Sequence, residues 1–229
     1  MNLQEYYDEM RATAVRKLAG GAAELDALID SGQDTRRGIT LLARPPAHIT
    51  EAIEQLLADF QGSEPSQYYY PATDVHLTIL SIISCYSGFE LNSIDPGQYS
   101  SLTRTILQHT PPFNITFSGL TASAGGIIVQ GFPQGNGLEN LRDEIRKVFR
   151  ASGLQQSIDR RYSIQTAHST VIRLRNPLLD TSRLINNIEK YRHYFIGSFE
   201  VNTAELVYND WYQRTANTVL LEKYTLGHK

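Results

Sequence analysis

Apolar positions near the start of the chain fall at Leu3, Tyr6, Tyr7, Met10, Ala14 and Leu18, a spacing that predicts a helix over 3–18. Gly20-Gly21 interrupts it, and AELDALID predicts a second short helix that stops at Ser31-Gly32. From Gly38 the pattern changes. GITLLA over 38–43 reads as a strand ended by Arg44-Pro45-Pro46. Residues 47–60 read as an amphipathic helix with Ile49, Ile53, Leu56, Leu57 and Phe60 on one side. An apolar run through 77–83 follows, then a loop-like stretch over 87–100 and a short helix over 101–108, broken by His109-Thr110-Pro111-Pro112. FNITFSGL and IIVQGF form a hairpin joined by a glycine-containing loop. A helix over 138–151 turns Leu141, Ile145, Val148 and Phe149 inward. The strand 167–174, a helix over 181–194 capped near Thr181 or Ser182, and two closing strands, FEVNTAELVYND and NTVLLEKYTL, complete the chain.

Two short runs stand out within this pattern. Residues 74–83 read DVHLTILSII and residues 165–174 read QTAHSTVIRL, each with a His and a Thr two positions apart inside an apolar strand. Side chains alternate along a strand, so His76 and Thr78 share a face, as do His168 and Thr170. Asp74 and Thr166 lie two residues before each His on that same face. One His-x-Thr has little specificity. Two copies, 92 residues apart and in corresponding sets of strands and helices, describe a polar cleft that packing alone does not require.

Composition narrows what such a cleft could hold. Of 229 residues, 41% are hydrophobic and 20% charged, ordinary for a globular chain, with a formal net charge of −3. That balance argues against an extended nucleic-acid surface, while a few local Arg or Lys suffice for one phosphate. Cys85 is the single cysteine, which excludes an intrachain disulfide and a cysteine-based metal cluster. MNLQEYYDEM is polar and acidic, unlike a signal peptide, and no apolar run is long enough to span a bilayer. The expected location is the cytoplasm, with no membrane partner. The glycine-rich GFPQGNG lacks the Gly-Lys-Ser/Thr of a phosphate-binding P-loop.

The chemistry of two imidazoles and two hydroxyls fits phosphate esters. Imidazole titrates near neutrality, so a pair on opposite sides of a phosphorus can act as base and acid in an in-line displacement. Threonine hydroxyls can donate to the nonbridging oxygens as charge builds, and β-branching holds them stiffly. This pairing predicts a bell-shaped pH profile centred near neutrality.

HLTIL at 76–80 and HSTVIR at 168–173 resemble the repeated motif of the two-histidine (2H) phosphoesterase superfamily, which includes 2′-5′ RNA ligase-like proteins and 2′,3′-cyclic-nucleotide phosphodiesterases. The resemblance covers roughly residues 38–226. It implies an α+β fold of two pseudo-symmetric lobes, each an antiparallel sheet with helices packed outside, facing a central cleft. It also implies His76 and His168 as the catalytic pair, Thr78 and Thr170 as phosphate ligands, and no metal or other cofactor. Arg173 matches the arginine that often follows the second His by five positions. In a regular strand it alternates away from His168, so phosphate contact requires a bulge or a long reach. Ser169 replaces the apolar residue usual at the middle of the motif. Residues 1–37 have no counterpart in the family and form an N-terminal helical extension to the bilobal domain 38–229.

The expected activity is metal-independent hydrolysis of a 2′,3′-cyclic phosphate or a related RNA-end or nucleotide phosphodiester, with 2′-5′ ligation as the reverse use of the same groups. The rival readings are a non-catalytic binder of nucleotides or RNA ends, and an interaction protein using the N-terminal helices. Tyr68, Tyr69, Tyr70 and Tyr162 are candidates for stacking a base at the cleft mouth, with Tyr70 and Tyr162 the selected pair. A zinc site from His76, His168 and Asp74 has no supporting His-x-x-x-His or cysteine pattern. His48, His109, His193 and His228 lack a partner pattern and are expected on the surface or in loops.

Overall fold

A computed structural model describes residues 2–161 and 163–227. Helix α1 (Leu3–Ala19) begins at a capping box, in which the Asn2 side chain accepts from the Gln4 N–H and Glu5 reaches back to the Asn2 N–H. Its buried Tyr7, Ala14 and Leu18 sit at helical spacing and pack on one of two sheets. The second predicted helix does not form. The N–H groups of Glu24 and Asp26 instead donate to the carbonyls of Ala124 and Leu174, so tertiary pairing takes the backbone that a helix would have used. Leu25 and Leu28 are accordingly exposed, and only Ile29 enters the core.

Strand β1 (Arg36–Ala43), helix α2 (Ala47–Gln61), β2 (Tyr68–Tyr69) and β3 (Leu77–Ser87) follow. Then come α3 (Pro96–Leu107), β4 (Phe113–Ser123), β5 (Gly126–Pro133), α4 (Gly137–Ala151) and β6 (Ser169–Arg173). The chain closes with α5 (Thr181–Lys190), β7 (Phe195–Val201), β8 (Thr203–Asp210) and β9 (Val219–Thr225). Helix α3 starts at Pro96 rather than Ser101, because Asp95 caps it and proline suits its first turn. Helix α5 ends at Lys190, and its cap is Asp180, whose side chain accepts from the Arg183 N–H. The run 199–210, expected as one strand, divides at Asn202: β7 pairs with β4 while β8 pairs with β1.

Two antiparallel sheets result, ordered β3-β1-β8-β9 and β2-β6-β5-β4-β7. Helices α3 and α4 back the first, and α1, α2 and α5 back the second, which is the expected α+β arrangement of two sheets with helices outside. The helices exchange lobes. α2 follows a strand of the first sheet but packs on β7, while α4 follows β5 and packs on β3. Their apolar faces join one continuous core, so each lobe is held by chain from the other. Among the described residues no helix is long and apolar enough to cross a membrane.

Candidate active site

The two His-x-Thr runs enter their strands from the same direction of chain, and each His lies just before its strand rather than inside it. Both strands then bulge at the same step. Leu42 and Leu41 of β1 face Thr78 and Leu80, so Ile79 is the extra residue in β3. Ile128 and Ile127 of β5 face Thr170 and Ile172, so Val171 is the extra residue in β6. Each bulge resets the alternation, bringing Ser81 and Arg173, three residues beyond each Thr, back to the cleft face. Ser81 is therefore the counterpart of Arg173, and both line a cavity of about 150 Å³ together with His76, Thr78, His168 and Thr170.

Arg142 of α4 ties the β3 bulge to the segment that leads into the second motif strand. Its side chain is 1% exposed; its Nε donates to the Ile79 carbonyl at 2.8 Å, and its Nη2 to the carbonyls of Thr78 at 3.2 Å and Thr166 at 2.7 Å. One guanidinium thus satisfies backbone oxygens on β3 and on the segment that leads into β6. Burial lowers its pKa to about 10, which leaves it charged at neutral pH. Gly131 brings the second motif close from the other side. A Cβ there would sit 1.6 Å from the Ala167 carbonyl oxygen, so only glycine admits the backbone that leads into His168. The Tyr7 hydroxyl donates to the Gly131 carbonyl at 3.1 Å, which ties α1 to the same spot.

The histidines are held differently. His76 Nδ1 lies 2.7 Å from the Asp74 carbonyl, an acceptor only, so Nδ1 carries a proton and Nε2 is left to the cleft. The Asp74 carboxylate, expected beside His76, turns away and accepts from the N–H and hydroxyl of Thr215 at 3.0 and 2.6 Å. His168 Nδ1 instead lies 2.6 Å from the Thr166 hydroxyl, which can donate or accept. Burial pushes the pKa of each imidazole down to about 4, and positive charge adds to it: Arg44 and Arg173 at His76, and His76, Arg142 and Arg173 at His168.

The remaining expected site residues are distributed unevenly. Arg173 Nε donates to the Tyr70 hydroxyl at 3.1 Å, and Asp26 lies 3.9 Å from its Nη1. Tyr70 lines the cavity but is 3% exposed and meets Tyr68 edge-on, so it offers no open face for stacking and instead steadies Arg173. Tyr162 and His228 lie outside the described residues. His48, His109 and His193 are exposed, away from the cavity. Among the described residues, no group of three or more His, Cys, Asp or Glu comes together in a way that could hold a metal ion.

Sequence reasoning missed Ser81, Arg142 and the far wall of the cavity, where Thr40, Asn209, Trp211 and Gln213 stand. The loop after β8 that carries Trp211 and Gln213 is organised by buried Asp210, which accepts from the N–H groups of Tyr212 and Arg214 and from the Arg214 guanidinium.

Several solved structures share this architecture. TT0787 of Thermus thermophilus matches 85% of this chain and 100% of its own at a TM-score of 0.55 and 15% identity. A structure described as a phosphoesterase matches 84% and 99% at 0.55 and 17%. E. coli LigT complexed with 3′-AMP matches 84% and 99% at 0.52 and 16%. The chain has the fold of a phosphoesterase. The resemblance carried by the two His-x-Thr runs therefore holds at the level of architecture. No protein-family model matches the chain, and no curated protein does. In this fold one motif strand lies in each sheet and both face a shared cavity.

Proposed function

We propose that the protein is a metal-independent phosphodiesterase that hydrolyses a 2′,3′-cyclic phosphate or a related RNA-end or nucleotide phosphodiester. The observation that carries this reading is the convergence of His76 and Thr78 from one sheet with His168 and Thr170 from the other on one cavity. Nucleotide complexes of LigT, with 3′-AMP, ATP and NADP+, support a nucleotide as the class of ligand.

In this reading water attacks phosphorus in line with the leaving ribose oxygen. His76 Nε2 takes the proton from water as the new P–O bond forms, since the Asp74 carbonyl holds neutral His76 in the tautomer with a free Nε2 lone pair. His168, as imidazolium, gives its Nε2 proton to the leaving oxygen as the old P–O bond breaks, with the Thr166 hydroxyl accepting from Nδ1–H in that state. Thr78 and Thr170 donate to the nonbridging oxygens, and Arg173 supplies positive charge from the bulged end of β6. The product is a phosphomonoester, and proton exchange with solvent resets the pair.

Incubation with a panel of cyclic mono- and oligonucleotides in EDTA tests this. Turnover in chelator supports the reading. Absence of turnover on every member, or activity lost to EDTA and restored by a divalent ion, overturns it.

A further inference from the structure

Arg173 ends β6 at the cavity with one of its three nitrogens hydrogen-bonded among the described residues, Nε to the Tyr70 hydroxyl at 3.1 Å. Both Nη groups, which together can grip two phosphate oxygens, are left for a ligand. A single bond at Nε sets the distance of the head from Tyr70. It does not set the direction in which the Nη fork points.

A second contact comes from outside both sheets. Between α1 and β1 the chain crosses the end of β6, where the Asp26 N–H donates to the carbonyl of Leu174 at 2.8 Å, one residue beyond Arg173. That bond sets Asp26 beside the guanidinium, and its carboxylate oxygens are then divided. Oδ1 accepts from the Tyr212 hydroxyl at 2.8 Å and from the Leu28 N–H at 3.2 Å. Oδ2 is left to Arg173, 3.9 Å from Nη1. That separation is too long for a hydrogen bond, so the attraction is Coulombic and draws the fork without taking its protons. The side chains are 26% and 17% exposed, so solvent screens the pair less than it would at the open surface.

Tyr212 carries the anchorage to the other lobe. It follows β8, is 1% exposed, and its hydroxyl also accepts from Arg36 Nη2 of β1 at 3.0 Å. Its ring centroid lies 5.5 Å from the Arg173 guanidinium carbon. The contacts Arg36–Tyr212–Asp26–Arg173 therefore run from one sheet to the other at the cavity. A segment whose spacing reads as a helix works here as a brace.

We infer that Asp26 is a positioning residue for phosphate recognition: fastened to the end of β6 through Leu174 and to the opposite lobe through Tyr212, it holds the Nη fork of Arg173 toward a phosphate at the His/Thr cluster. The inference deepens the phosphodiesterase reading and rests on it for the place of the phosphate.

Inorganic phosphate titrated at fixed pH against the ring-proton NMR signals of His76 and His168 reads occupancy at the cluster itself. Asp26→Asn keeps the acceptor for Tyr212 and Leu28 but sets an amide NH2 against Nη1. Phosphate is expected to bind it at least about threefold more weakly, the low end of coupling between contacting residues. In an Arg173→Met background the same change should not weaken binding, and removing a negative charge near the anion should tighten it slightly. That reversal is what a merely structural role would not produce. Tyr212→Phe, which removes a donor to Oδ1, is the second variant and should weaken binding only where Arg173 is present. Equal weakening with and without Arg173, or tighter binding in both backgrounds, overturns the inference. The same cycle is then run in kcat/KM on a cyclic phosphate. Phosphate binding coupled through Arg173, without turnover of any cyclic phosphate, leaves Asp26 in its role and removes the phosphodiesterase reading. Turnover in which the Asp26 and Arg173 effects simply add does the reverse.

Discussion

Thr166 Oγ1 lies 2.6 Å from His168 Nδ1, whereas the residue at the same offset from His76, Asp74, meets its imidazole through a main-chain carbonyl. A carbonyl fixes one tautomer; a hydroxyl follows the proton. Thr166→Val keeps the buried shape and removes the partner of Nδ1, so it should lower kcat about tenfold or more with little change in KM, and Thr166→Ser should restore most of the loss. Equal kcat in the Val and Ser variants, with unaltered melting, would show that the hydroxyl does not position His168.

Burial decides the pH behaviour. Both imidazoles are pushed down to about 4, so the free site is mostly doubly neutral at pH 7, and the working form with one imidazolium is lost as pH rises through the upper pKa. The optimum of kcat/KM should therefore lie on the acid side, roughly between pH 4 and 6, rather than at the unperturbed imidazole value of about 6.5. A bound anionic substrate favours the imidazolium, so the alkaline limb of kcat should lie above that of kcat/KM. The same shifts enter stability with a definite sign. A folded pKa below the unfolded value means the unfolded chain binds more protons, so stability is full above about pH 6.5 and falls as pH drops toward about 4. Urea midpoints measured from pH 7 to 4 should decline, and less steeply in His76→Asn. A flat kcat/KM profile from roughly pH 4 to 8 would contradict the pair.

Much of this was legible in two ten-residue runs, because strand alternation alone puts each His and Thr on one face. What alternation could not show is the bulge. It depends on which residues of β1 and β5 face the motif strands, and it moves Arg173 and Ser81 onto the cleft face. Arg142 left no signal either, since an arginine beside Leu141 on an amphipathic helix reads as its solvent edge. Asp95-Pro96 did carry the start signal of α3, and composition around 87–100 obscured it. The helical spacing of AELDALID was overridden by pairing with Ala124 and Leu174, a partner no local pattern reveals.

Thr78→Val and Thr170→Val preserve volume and β-branching at two half-buried cleft positions. If the hydroxyls hold developing charge, each change should reduce kcat by at least about tenfold, toward the ~10²-fold typical of a lost oxyanion donor, while melting barely moves. Wild-type turnover in both variants would make the threonines scaffold.

Arg142→Met should act on both motifs at once. The thioether fills much of the space but leaves the carbonyls of Thr78, Ile79 and Thr166 without their donor, a loss of about 2–4 kcal/mol in stability. Under conditions where the variant is folded, activity should fall further than that of a variant affecting one lobe. An unchanged urea midpoint would remove Arg142 from its bridging role.

The roles of the two histidines can be separated by the leaving group. An acid is needed only where the departing oxygen is basic, while a base is needed to activate water whatever leaves. With a ribose leaving group, His76→Ala and His168→Ala should both lose activity by orders of magnitude, since general acid–base groups contribute roughly 10²–10⁴-fold each. With a p-nitrophenyl phosphodiester the departing phenolate needs no proton, so His168→Ala should recover to within about tenfold of wild type while His76→Ala stays inactive. Thr166→Val should follow His168→Ala, since its effect passes through that imidazole, and lose its defect on the same substrate. Recovery of His76→Ala in place of His168→Ala would exchange the two roles, and the Asp74 carbonyl would then serve to hold an imidazolium acid rather than to prepare a base. Recovery of neither would mean that both imidazoles bind phosphate rather than move protons.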